Sequence, residues 1–245
     1  EKIDERVKSV SDTLRLSSFL NLPARKLTAD QKQLISLGRG LVREDVAGVL
    51  MDEPLTVIDP DLKFRLRRNL KEINEQYKTT LVYVTHDQNE AMTFADNIIV
   101  MDQGEIVQVG LPKDLFERPK TTFVGYFIGS PAMNIFESEV SSDYSVKINN
   151  IEIKTNSNLS KIKDKNVKLG IRSEFINVAE KEGQNTIKAS LTRVEDFGNF
   201  KLLTANMGDF VIKSKINREM PISNGDINLY IPPEKCCVYI NEKLI

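Results

Sequence analysis

Val46-Ala47-Gly48-Val49-Leu50-Met51-Asp52-Glu53-Pro54 is a short apolar run that ends abruptly in two carboxylates and a proline. A continuous apolar run of this length, bounded by turn residues, has the pattern of a strand buried on both faces of a parallel sheet. A second run, Leu81-Val82-Tyr83-Val84, ends in Thr85-His86-Asp87. Between the two, Asp59 followed by Pro60 offers an N-cap and a first-turn proline, and Leu62, Leu66, Leu70, Ile73 and Tyr77 fall on one helical face. Strand, helix, strand with polar residues at the carboxyl ends is how open α/β sheets place their sites.

Outward from this unit, Ile3, Val7, Val10, Leu14 and Leu16 recur near helical spacing and predict a helix over 3–20 that Pro23 stops. A further helix is expected over 31–42. Residues 97–110 read as a hairpin about Asp102-Gln103-Gly104-Glu105, and two short helices centre on Leu115 and Val124. Gly129-Ser130-Pro131 is taken as a domain boundary. Beyond it, alternating segments at 144–148, 167–171, 187–194, 201–205, 210–212 and 227–231 are parted by Gly, Asn and Asp, which suggests a small barrel or sandwich. The expected fold is a partial α/β domain at 1–131, comprising parallel sheet and helical subdomain, and an all-β OB-like regulatory domain at 132–245.

With 34 basic and 35 acidic residues in 245, the chain has no global field favouring nucleic acid, so a nucleic-acid partner is not expected. Adjacent Cys236 and Cys237 are poorly placed to bridge one another and lack metal-ligand spacing, so reduced packing residues are expected.

At the end of a strand, neighbouring carboxylates point to opposite faces and can hold different roles. Asp52 could orient a magnesium ion that keeps most of its waters, and Glu53 could position or deprotonate an attacking water. An acidic pair by itself is more often a turn cap. His86 is the only histidine in the chain and has no partners for metal ligation, but beside a terminal phosphate it could donate to an oxygen that gains charge.

These residues carry a resemblance. Leu50 to Pro54 resembles the Walker B strand of ABC ATPases, Leu55 to Asp59 their D-loop, and Val84-Thr85-His86-Asp87-Gln88 their switch-histidine loop. Similarity continues through Glu90-Ala91-Met92 to Phe127-Ile128-Gly129-Ser130-Pro131, in the manner of the maltose-importer ATPase type that handles sugars, polyols and glycerol phosphate. Residues 36–42 and 54–60 look most like one ATPase of two-ATPase glycerol importers. The resemblance implies ATP and Mg2+ as ligands, with Asp52 organising magnesium, Glu53 as catalytic base, His86 on the γ-phosphate and Asp59 at an interface between two ATPase subunits. It also implies transmembrane permease partners and a cytoplasmic position on the inner face of the membrane.

One motif departs from the pattern. Where the family has Leu-Ser-Gly-Gly-Gln, this chain has Leu27-Thr28-Ala29-Asp30-Gln31. Ala29 and Asp30 replace both glycines that would cradle a phosphate bound by the opposite subunit, and a carboxylate there repels it. The expectation is an asymmetric pair, a heterodimer more readily than a homodimer, with a regulatory pseudo-ATPase as the alternative. No Gly-x-x-x-x-Gly-Lys-Ser/Thr loop occurs in the sequence. Together with an opening at Glu1, inside what reads as a helix, this leads to the expectation of a missing N-terminal segment and of an inactive fragment. In the C-terminal half, residues 170–174, 195–199 and 231–235 resemble the regulatory β segments of that importer branch.

Overall fold

The computed structural model describes residues 2–43, 46–162, 166–223 and 225–245, without the side chains of Gln76 and Tyr77. Glu1 and the proposed face position of Tyr77 therefore lie outside the described residues. The chain forms two compact units, Glu1–Ala95 and Asp96–Ile245.

In the first unit the order is α1 (Lys2–Thr13), α2 (Ala29–Leu41), β1 (Gly48–Asp52), α3 (Pro60–Tyr77), β2 (Thr80–Val84) and α4 (Gln88–Phe94). Strands β1 and β2 are parallel, with Gly48 opposite Thr80 and Asp52 opposite Val84. Asp59 caps α3 as expected, accepting from the Asp61 amide at 3.0 Å. Leu66, Leu70 and Ile73 of that helix join Val10, Leu14, Leu34, Leu37 and Met51 in one core.

Two expectations fail here. The pair β1–β2 is not buried on both faces: Val49 and Met51 pack with Leu81 and Tyr83 against the helices, while Leu50 is 80% exposed and Val82 and Val84 are also exposed. Strand alternation delivers one face to the helical core, and among the described residues of this unit nothing covers the other. The first helix also stops at Thr13, well before Pro23. Arg15 takes a left-handed φ of 57°, the Leu16 amide reaches back to Ser11 O at 2.7 Å and the Arg15 amide to Asp12 O at 3.2 Å. This is a Schellman-type stop, and it turns Leu14 and Leu16 into the core. Ile3 and Val7, counted on the same face, are exposed.

The second unit opens with the hairpin β3 (Ile98–Asp102) and β4 (Glu105–Gly110), followed by α5 (Pro112–Glu117) and α6 (Thr122–Phe127). Gln103 and Gly104 both have positive φ, 48° and 83°, the tight turn that matches strand twist. Next come β5 (Asn134–Ser142), β6 (Ser145–Ile148), β7 (Ile151–Lys154), β8 (Asn166–Ile171), β9 (Asn177–Ala179), β10 (Thr186–Asp196), β11 (Phe200–Met207), β12 (Phe210–Asn217), β13 (Asp226–Tyr230), β14 (Cys237–Ile240) and β15 (Lys243–Leu244). They form a six-stranded sheet, β15-β14-β8-β5-β6-β7, and a five-stranded sheet, β12-β11-β10-β13-β9.

Apolar residues of both sheets, from Phe136 through Ile153 and Leu169 to Leu203 and Leu229, make one core. Two buried asparagines tie polar backbone across it. Asn134 donates to Lys213 O at 2.9 Å and accepts from Lys213 N at 2.8 Å, and Asn185 does the same with Lys154 at 2.8 Å each way. The cysteines are free, and burial raises both thiols.

By compactness the units part at Ala95–Asp96, whereas the sequence boundary at 131 marks the change to alternating strands. Residues 96–131 fall within the second unit, where buried Arg172, just after β8, binds their backbone. It donates to Phe116 O at 2.8 Å, to Gly125 O at 2.7 Å and to Ile128 O.

Close packing sets a local prediction. A Cβ added at Gly170 would lie 2.7 Å from Met133 Sδ and 2.8 Å from Tyr239 Cε2, and Tyr239 is fully buried with its hydroxyl donating to Pro119 O at 3.1 Å. The thioether can yield but the ring cannot, so Gly170→Ala is expected to destabilise by about 1–3 kcal/mol in urea unfolding.

Candidate functional site at the ends of β1 and β2

Parallel pairing carries both strands to the same edge, so the residues following them meet. The Glu53 amide extends the ladder by donating to Val84 O at 2.9 Å, and the chain then turns, with Glu53 at φ 48°. Left-handed backbone at a glutamate costs on the order of 1 kcal/mol, a strain that concentrates at functional sites.

The turn aims the Glu53 carboxylate at the next loop. Oε1 accepts from the His86 amide at 3.1 Å and bonds His86 Nδ1, and Oε2 accepts from Thr56 Oγ1 at 2.9 Å. Because Nδ1 faces Glu53, the other ring nitrogen, Nε2, is left to the solvent side of a residue that is 77% exposed.

Each partner stabilises the charged form of the other. The His86 hydrogen bond is the main cause that lowers the Glu53 carboxyl, and the Glu53 hydrogen bond is the main cause that raises the His86 imidazole. The raised imidazole stabilises the fold fully below its ordinary value of 6.5, and that contribution fades as pH rises through the folded value. The lowered carboxyl stabilises above its ordinary 4.5 and fades as pH falls through its folded value. Both contributions are whole between about pH 4.5 and 6.5.

Asp52, the last residue of β1, is exposed. Among the described residues no group of three or more His, Cys, Asp or Glu could hold a metal ion. One exposed carboxylate fits magnesium, which keeps most of its waters and takes its remaining ligands from phosphates.

The altered loop forms its own cluster. Thr28 caps α2 in a capping box, its amide donating to Gln31 Oε1 at 3.1 Å, and its hydroxyl bonds the Asp30 carboxylate, which lowers the Asp30 carboxyl. The negative charge expected from the sequence thus sits in the first turn of α2, with Ala29 exposed beside it. Helix α2 is tied to the Walker-B-like turn by Gln33 Nε2, which donates to Pro54 O at 3.1 Å.

The structure brings Glu53 and His86 into direct contact, with Asp52 beside them on the strand. Thr28, Asp30 and Gln31 bond one another, and Asp59 is engaged as a helix cap. Sequence reasoning passed over Glu90, which is 3% exposed behind His86. Tyr83 on β2 and Thr85 just after it, with Lys63 and Arg67 one helical turn apart on α3, were the available signals of a buried acid.

Fold and site together resemble an ABC-type ATP-binding domain joined to an OB-like β domain. The MalK OB fold domain family matches residues 129–176. The oligosaccharides import ATP-binding protein MsmX of Bacillus subtilis is 35% identical over 92% of this chain and 64% of its own length. The trehalose/maltose import ATP-binding protein MalK of Thermococcus litoralis is 34% identical over 92% of the chain and 63% of its own. The sn-glycerol-3-phosphate import ATP-binding protein UgpC of Yersinia enterocolitica is 36% identical, covering 95% and 66%. The chain is a homologue of these sugar and glycerol-phosphate importer ATP-binding proteins, and it spans about two thirds of their length or slightly less.

Proposed function

We propose that this chain is the distal part of the ATP-hydrolysing subunit of an ABC importer that drives uptake of a carbohydrate or polyol, glycerol among them. The contact between Glu53 and His86 carries the reading. Glu53, held ionised by its partners, would take the proton of the attacking water. His86, whose protonated form Glu53 favours, would in that form present Nε2–H to the terminal phosphate of ATP as charge develops there. Asp52 would hold Mg2+, largely through water, and the ion would neutralise the phosphates. Asp59 would face a second ATPase subunit, and ATP-driven closure of the pair would move a transmembrane permease. Among the described residues no helix is long and apolar enough to cross a membrane, so attachment to the inner face of the membrane would run through the permease.

A second reading is favoured by the Thr28–Asp30 cluster, namely a regulatory pseudo-ATPase in an asymmetric heterodimer. That cluster would serve the partner's phosphate, leaving one composite site impaired while Glu53 and His86 serve the other. The test joins this chain in frame behind a phosphate-binding loop and assembles it with an ATPase partner and a permease in vesicles. ATP-dependent solute uptake is expected, and the double change Ala29→Gly with Asp30→Gly should raise hydrolysis. ATP binding without hydrolysis in either form favours the pseudo-ATPase.

A further inference from the structure

Glu90 in α4 is a buried carboxylate with four partners, drawn from β2, the loop that follows it, and α3. Its Oε2 accepts from Tyr83 Oη at 2.8 Å and from Thr85 Oγ1 at 3.0 Å. Its Oε1 lies 3.3 Å from Lys63 Nζ and 3.6 Å from Arg67 Nη1 on α3. Removing a carboxylate from water is costly, and two cations with two hydroxyl donors offset that cost only while all are held in place. The group is therefore a fixed point, and burial together with Glu90 raises the Tyr83 phenol accordingly.

The geometry of the loop follows from that point. Thr85 donates to Glu90 and accepts from the Asp87 amide at 3.0 Å, and Asp87 in turn caps α4 by accepting from the Asn89 amide at 2.8 Å and the Glu90 amide at 3.3 Å. Both neighbours of His86 are thereby fastened inward, and the residue between them is left pointing outward at Glu53. Lys63 and Arg67 connect the same carboxylate to the helix that Asp59 caps.

We infer that Glu90 is the positioning residue for His86, a buried post that fixes the histidine loop against α3 and so ties the Glu53–His86 contact to the position of the Asp59-capped helix. The inference deepens the catalytic reading and rests on it for its consequence, but not for its geometry. Glu90 touches no reacting atom. Its effect should appear in the orientation of His86 and in the rate of the chemical step, not in nucleotide affinity.

Because His86 is the only histidine, its ring gives a single set of NMR signals in the full chain. At one fixed neutral pH, Glu90→Ala is expected to move those signals toward their positions in Glu53→Gln, where the ring has lost its anionic partner. Glu90→Gln, which keeps an acceptor for Tyr83 and Thr85, should move them less. Far-ultraviolet circular dichroism establishes that each variant is folded. If Glu90→Ala does not fold, the double change Lys63→Ala with Arg67→Ala, which frees the same carboxylate on its other side, must move the ring in the same direction.

In the assembled importer the loss should be roughly tenfold or more in kcat with KM for ATP unchanged, as for a small misplacement of a reacting group. Ring signals that stay at their native positions in the folded variants overturn the proposal. If the ring signals move without loss of kcat, the positioning stands and it is the catalytic reading of His86 that fails.

Discussion

Glu53→Gln, placed in an importer assembled around this chain with a phosphate-binding loop joined before it, is expected to slow ATP hydrolysis by about 10²–10⁴-fold. Glutamine keeps the length and an oxygen to accept from the His86 amide, 3.1 Å from Oε1 in the native chain, while its NH2 can donate to Thr56 Oγ1 in place of the second carboxylate oxygen. It has no basic carboxylate to take a proton. ATP binding should persist, because nothing assigned to Glu53 grips the nucleotide in the ground state, so the loss falls on kcat. Phosphate release per subunit, set against nucleotide binding by the same preparation, checks this. Hydrolysis at the native rate would remove Glu53 as the base and would leave the strained turn at φ 48° without a catalytic purpose.

The largest expected loss of stability comes from Arg172→Met. The guanidinium is 1% exposed, bonds the carbonyls of Phe116, Gly125 and Ile128, and lies 4.7 Å over the Phe116 ring. Burial lowers its pKa, so charge-assisted bonds to these carbonyls are what keep it folded inside. Methionine fills similar space but leaves buried acceptors without donors, a loss of about 3 kcal/mol after the recovered desolvation of the charge. Lysine should rescue little, since a point ammonium cannot reach three divergent carbonyls. Urea unfolding of the chain followed at the tyrosines reports it, and a change under about 0.5 kcal/mol would show the fork to be dispensable.

What could be read in advance depended on whether polarity and position agreed. The ends of β1 and β2 were legible because apolar runs stop at Asp52-Glu53 and at Thr85-His86, and parallel pairing then forces the two ends together. Hairpin β3–β4 was legible because two apolar runs flank a polar turn in which Gly104 is suited to positive φ. Strand β5 was missed because Asn134 and Ser138 occupy inward positions, which erases the alternation although both are hydrogen-bonded. The stop of α1 was missed because its left-handed residue is Arg15, neither glycine nor asparagine. Exposure of Leu50, Val82 and Val84 could not be read from their side chains, which look alike on either face of a sheet. Glu90 was passed over because its signal is split between Tyr83 and Thr85 on one side and Lys63 and Arg67 on α3, and Arg172 was hidden because its partners are backbone carbonyls, which no side-chain pattern announces.

The account turns on Glu53 and His86 each favouring the charged form of the other across neighbouring strand ends. Titration of the single histidine ring by NMR tests that contact in this chain as it stands. The midpoint should lie above the free imidazole value of about 6.5 and fall back toward it in Glu53→Gln. Identical titration curves in the two proteins would contradict the pairing and, with it, the site.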